Sequence, residues 1–177
     1  MRIDWEPGTE NSNNFSRGEE PEIVCNELDN IIWIPATAMY LSDGAEFTTL
    51  PDLYAMYCVA RLDAIMEGVG FNFHVPAGAA EVVEAKLIYF AVSSLANADG
   101  FDAYAAFGAL GESCIIHMDS VEGIGAGSVV ENQIYEVDIS GALTGIAAGD
   151  YCGIRIRVAG GDAIADRAII GFRLRWK

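Results

Sequence analysis

Lysine is nearly absent from this 177-residue chain. Two lysines and eight arginines face 26 acids, for a formal net charge of -16. An excess of that sign argues against a nucleic-acid backbone as the main partner. Long apolar runs are also missing. None reaches the ~18 residues of a membrane helix, so no membrane partner is expected. The opening Met1-Arg2-Ile3-Asp4-Trp5-Glu6-Pro7 has charge but not the apolar stretch of a secretion signal. The four cysteines (Cys25, Cys58, Cys114, Cys152) form no C-x-x-C, and with the two histidines they give no zinc spacing. No G-x-S-x-G, G-x-x-x-x-G-K-[ST] or H-E-x-x-H occurs. These gaps weigh against an enzyme, and no catalytic residue, cofactor or metal site is assigned.

What is present is core material. Hydrophobic residues make up 52% of the chain, and a domain of this length buries roughly 70% of its unfolded surface. Residues 1–27 are polar, with scattered aromatics such as Trp5 and Phe15. This arm cannot fold alone and needs the surface of the body or of a neighbouring subunit. Residues 28–177 form the body, read as short strands between turn signals. Ile31–Pro35, Tyr54–Leu62, Val69–Val75, Val82–Val92, Phe101–Phe107, Cys114–Met118, Gln133–Ile139, Tyr151–Val158 and Ile170–Trp176 carry the apolar or alternating patterns. Val82–Val92 is long enough for a helix, but its valine, isoleucine and aromatic content favours strand. Ile139, Leu143 and Ile146 suit one helical turn closing an end of the barrel. The expected class is all-β: an antiparallel β-sandwich, jelly-roll-like, with an extended N-terminal arm.

Charge is unevenly divided. Tyr151–Lys177 holds six bases and two acids, net +4, so the first 150 residues hold four bases and 24 acids, net -20. Arg155 and Arg157 alternate with Ile154, Ile156 and Val158, as Arg173, Arg175 and Lys177 do with Phe172, Leu174 and Trp176. If these strands pair as a hairpin, two basic ladders lie side by side. The ladders then face either acidic strands of the same sheet or the acidic face of a neighbouring copy.

Cys114 shares strand parity with Ile116 and Met118, and Cys152 with Ile154 and Ile156, so both read as small core residues. Asn97, Asp99 and Asp102 around Gly100 resemble part of a calcium loop, but the 12-residue ligand pattern is incomplete and turn chemistry accounts for them. Gly123-Ile124-Gly125-Ala126-Gly127-Ser128 precedes a β segment rather than a helix, which argues against a phosphate cradle. Trp33 and Trp176 read as core or interface anchors. Trp and Tyr side chains could instead stack on sugar rings.

Phe71-Asn72-Phe73-His74-Val75-Pro76 followed by Val82-Val83-Glu84-Ala85-Lys86-Leu87 opens a recognisable pattern. Tyr135-Glu136-Val137-Asp138-Ile139-Ser140 with Gly149-Asp150-Tyr151 and a final apolar and basic strand closes it. Together these resemble the jelly-roll structural proteins of tailed phages, of the capsid decoration (cement) or head-fibre type. The resemblance implies a virion protein assembled in the host cytoplasm that stabilises the particle through subunit contacts. Its partners would be copies of itself, as a trimer more than a dimer, and major capsid or other virion proteins. The interface candidates are then Trp5, Phe15, Arg155, Arg157, Arg173, Arg175 and Lys177. The alternative is a carbohydrate-binding β-sandwich for host or glycan attachment, with exposed aromatics contacting glycan. A small β-sandwich hydrolase is a third reading.

Overall fold

The structure, a computed structural model, describes residues 30–35, 40–41, 52–54, 57–63, 67–160 and 166–177. The N-terminal arm, with Trp5 and Phe15, lies outside the described residues.

Thirteen strands are described. They are β1 (Asn30–Pro35), β2 (Tyr40–Leu41), β3 (Asp52–Tyr54), β4 (Tyr57–Leu62), β5 (Gly68–His74), β6 (Val82–Ala91), β7 (Leu95–Ala98), β8 (Phe101–Gly108), β9 (His117–Ile124), β10 (Gly127–Val129), β11 (Ile134–Asp138), β12 (Tyr151–Val158) and β13 (Arg167–Trp176). They form two antiparallel sheets. One runs β11-β6-β13-β4-β3, with β1 beside the C-terminal half of β13. The other runs β2-β5-β12-β8-β9, and β7 with β10 makes a small two-stranded ribbon. The antiparallel β-sandwich expected from the alternation is the fold. The apolar run Val82–Ala91 is a strand, as its β-branched and aromatic content indicates.

The core lies between the two sheets. Phe71 and Phe73 of β5 reach Phe172 of β13, with ring centroids 5.1 and 5.7 Å apart. Tyr89 of β6 meets Phe101 of β8 edge-on at 5.1 Å. Cys152, Ile154, Ile156 and Val158 face Phe172, Leu174 and Trp176 across the layer, all buried. A 3-10 turn, Ser140–Leu143, closes one end with buried Ile139 and Leu143, where the spacing placed a helical turn.

Two expectations are corrected. β12 and β13 do not pair as a hairpin: β12 lies between β5 and β8, while β13 lies beside β6, β1 and β4. Each strand has one apolar face, and in a sandwich those faces bury each other only from opposite sheets. The two basic ladders therefore point out on opposite sides of the molecule. The strand expected at Cys114–Met118 begins only at His117. Two consecutive turns occupy the preceding residues, with Glu112 N–H bonded to Ala109 C=O and Ile116 N–H to Ser113 C=O. Cys114 is consequently exposed rather than in the core, and Cys152 alone fulfils the core reading.

Candidate functional site

The site begins with what β12 lacks. β12 is the central strand of its sheet, and its outward row is Tyr151, Gly153, Arg155 and Arg157. Gly153 stands opposite Asn72 of β5 and Ala106 of β8, and Arg155 opposite Gly70 and Tyr104. Glycine and alanine at the middle of three adjacent strands leave the sheet's outer face without side chains to fill it. A shallow trough results. One half, about 550 Å³, is lined by Asn72, Ala106, Cys114, Tyr151 and Gly153, among others. The other, about 500 Å³, shares Asn72, Ala106 and Gly153 and extends to Tyr104, Met118 and Arg155. From Tyr151 to Arg155 is four residues, roughly 14 Å at the rise of an antiparallel strand. Across β5, β12 and β8 the floor is about 10 Å wide.

The walls are aromatic and polar. At one end Tyr151, 56% exposed, leans on His74 with ring centroids 4.6 Å apart. At the other, the Tyr104 hydroxyl donates to Glu122 Oε1 at 2.8 Å and accepts from Arg157 Nη2 at 2.7 Å. The bond to Glu122 raises Tyr104 above the ordinary tyrosine value, so the phenol stays protonated and held. The Arg157 guanidinium sits 4.8 Å from the Tyr104 ring centroid and bonds Asp102 at 3.1 and 3.2 Å. Met118, 72% exposed, forms a lip on β9. Beneath the floor, burial pushes the Cys152 thiol up to about 12, which keeps it protonated.

The residues expected to grip neighbouring subunits divide between the two outer faces. Arg155 lines the trough and Arg157 braces its end. On the opposite face Arg173 bonds Glu84 at 2.7 Å and both carboxylate oxygens of Glu136 at 3.0 Å. Arg175 lies 3.8 Å from Glu84, and Lys177 lies 2.6 Å from Glu81. The basic ladder thus faces acids of its own sheet, the first of the two alternatives drawn from the alternation. Within the incomplete calcium pattern, Asp99, Gly100 and Asp102 are engaged by groups of this chain. The carbonyls of Asp99 and Gly100 accept from Arg167, and Asp102 accepts from Arg157 and the Gly123 N–H.

From the sequence, Asn72, Ala106, Met118 and Gly153 carry no binding role, whereas Tyr104 and Tyr151 fall under the alternative in which tyrosines stack on sugar rings. One signal was available: Gly70 and Gly153 interrupt otherwise apolar alternating strands, which marks a close approach or an unfilled face. Which other strand supplies Ala106 opposite them is not written in the local pattern.

No protein-family model matches the sequence, and no curated protein matches it. Among solved structures, the chain is similar to a carbohydrate-binding module CBM36 in complex with calcium and xylotriose. The identity is 13%, covering 82% of this chain and 98% of that one, at a TM-score of 0.40. A CBM36-1 domain of a multidomain xylanase from the hindgut metagenome of Trinervitermes trinervoides is 10% identical over 82% and 96% of the two chains, TM-score 0.38. The CBM22-1 xylan-binding domain from Paenibacillus barcinonensis Xyn10C is 12% identical over 84% and 95%, TM-score 0.42. These structures are carbohydrate-binding modules, not virion proteins, and the capsid-decoration reading is corrected on that finding.

Proposed function

We infer that this chain is a carbohydrate-binding β-sandwich that seats an oligosaccharide in the trough across β5, β12 and β8. The observation that carries this reading is the trough's construction: an unfilled Gly and Ala floor between two tyrosines, with the planar polar side chains of Asn72 and Arg155 along it. Sugar rings present apolar C–H faces and a fringe of hydroxyls. Aromatic walls suit the first and a few fixed hydrogen-bonding groups suit the second. Length and openness suit a chain of rings rather than one. Binding without turnover belongs to the reading.

The test is retention on a panel of soluble polysaccharides by affinity electrophoresis, with calorimetry on oligosaccharides of those retained. Tyr151→Ala is expected to weaken binding about tenfold, or ~1.4 kcal/mol. Gly153→Leu is expected to block the trough, since a Cβ there already comes within 3.2 Å of Asn72 Oδ1. Both sites face outward, so melting temperatures should stay close to that of the parent chain. A full panel without retention would remove the reading.

A further inference from the structure

We propose, resting on the carbohydrate reading, that the trough takes glycans bearing an ester-linked aromatic acyl group, and that Ile116 and Met118 form the shelf on which this group lies. The strand registers set the outward side chains in rows across the sheet. One row runs His74, Tyr151, Gly108 from β5 to β8, and the next runs Asn72, Gly153, Ala106, Met118 from β5 to β9. A Cβ on Gly108 would fall 3.2 Å from Ile116 Cγ2, so Ile116 ends the first row above a strand that has no side chain there. Both rows therefore run from a polar side chain on β5 to an apolar one at the β9 side, with glycine or alanine on β8. The row beyond them ends in Tyr104 and Ser120 and is polar at that edge, which confines the shelf to the Tyr151 end. Four of the ten large hydrophobic side chains exposed among the described residues, Leu110, Ile115, Ile116 and Met118, belong to this one hairpin. Single exposed apolar residues are ordinary, but a cluster marks a contact surface. The one acid of the intervening turn, Glu112, is bonded back to the Ala109 N–H.

Position and shape decide the occupant. The trough runs along β12, whereas the shelf lies to its side, about 14 Å from β5 at sheet spacing. A group held there hangs from a ring hydroxyl, since an aglycone at the end of the sugar chain would continue along the trough instead. An acyl ester is such a group: it keeps the hydroxyl oxygen in place and adds an apolar body beyond it. Ile116 and Met118 stand two residues apart, about 7 Å at strand rise. That span matches a planar aromatic acyl group laid flat, whereas an acetyl methyl would cover one side chain. Methionine suits a flat ring, because its thioether is polarizable and contacts aromatic rings favourably. The other edge of the sugar ring is left to Asn72, whose carboxamide offers an acceptor and a donor group to hydroxyls. The polar and apolar edges of the trough thus match the two sides of an acylated sugar.

The experiment uses the full chain and oligosaccharides of feruloylated arabinoxylan, feruloylated pectic arabinan and O-acetylated glucomannan, each beside its own saponified form. Dissociation constants are measured by calorimetry, and the mass of the free chain by light scattering. At least one feruloylated probe is expected to bind about tenfold more tightly than its saponified form, the effect of covering roughly one aromatic face. The acetylated pair should differ by less than about threefold. Ile116→Ser should cut the feruloyl preference about threefold or more and leave affinity for the saponified form within about twofold. Met118→Ser should remove most of the preference, read as the ratio of the two forms so that any loss common to both cancels. Both side chains are more than half exposed, and either variant serves alone if the other does not fold. Equal affinity for feruloylated and saponified forms, an equal preference for the acetylated probe, or a preference that survives both substitutions overturns this proposal and leaves the carbohydrate reading in place. A dimer that either substitution dissociates would make the shelf a contact between copies and overturns it as well. If no probe binds in any form, the proposal falls, and retention on the polysaccharide panel decides the carbohydrate reading separately.

Discussion

Arg167 is the largest side chain that the core fully encloses. Its guanidinium donates to the main-chain carbonyls of Gly100 and Asp99 and lies 4.3 Å from the Phe101 ring centroid and 5.7 Å from that of Tyr89. Burial lowers its proton affinity, and the Tyr89 and Asp99 neighbourhood opposes that. Carbonyl dipoles and two aromatic faces thus replace the water that the cation gave up. Arg167→Ala would leave those carbonyls dry and open a cavity, and should cost about 3 kcal/mol or more in urea unfolding. Arg167→Met refills most of the volume, so its smaller loss isolates the carbonyl term. A cost under about 1 kcal/mol for the alanine variant would contradict this account. In sequence Arg167 is one more base of the C-terminal segment. Nothing local separates a buried arginine from the paired surface arginines that follow it on the same strand.

At the scale of elements, β9 is tied to the 3-10 turn by one carboxylate. Asp119 accepts from the Thr144 hydroxyl at 2.6 Å and from the Gly145 N–H at 3.1 Å. The Thr144 bond is the larger cause that holds its carboxyl below the ordinary aspartate value of 3.8. A folded value below the unfolded one means the tie stabilises fully above about pH 4 and fades as pH falls through the folded value. Thermal melts should therefore lose stability on acidification below about pH 4. Asp119→Asn should be less stable than the parent at neutral pH and show a shallower acid decline. Parallel declines in the two proteins would contradict the assignment. A second tie is steric. A Cβ on Gly171 would fall 2.5 Å from Trp33 Cζ2 and 2.7 Å from the Ile34 carbonyl, so only glycine lets β1 lie against β13. Trp33, 46% exposed, is therefore a cover over the backbone of β13 rather than a core residue, whereas Trp176 is buried.

Over the whole molecule, the net charge of -16 opposes compactness and the ion-pair lattice on the β6–β13–β11 face offsets part of it. Arg173 is the hub of that lattice, its proton affinity raised by Glu136 and then Glu84. Arg173→Gln leaves those two acids beside each other. It should cost about 1 kcal/mol at low salt, given the partial exposure of the group. Added sodium chloride should raise the melting temperature of both proteins and recover more for the variant, because screening removes the repulsion that the substitution exposes. Equal salt responses would mean that the lattice contributes nothing measurable. Alternation by itself determined the fold class, the inward face of β5, β12 and β13 and the plug at Ile139–Leu143, because period-two burial and turn chemistry are local physics. Only the tertiary structure decided that β12 and β13 join opposite sheets and that Asn72, Ala106 and Gly153 meet on one floor. Alternation specifies which side of a strand faces inward but not which strand lies beside it, and the trough is made of that choice of neighbours.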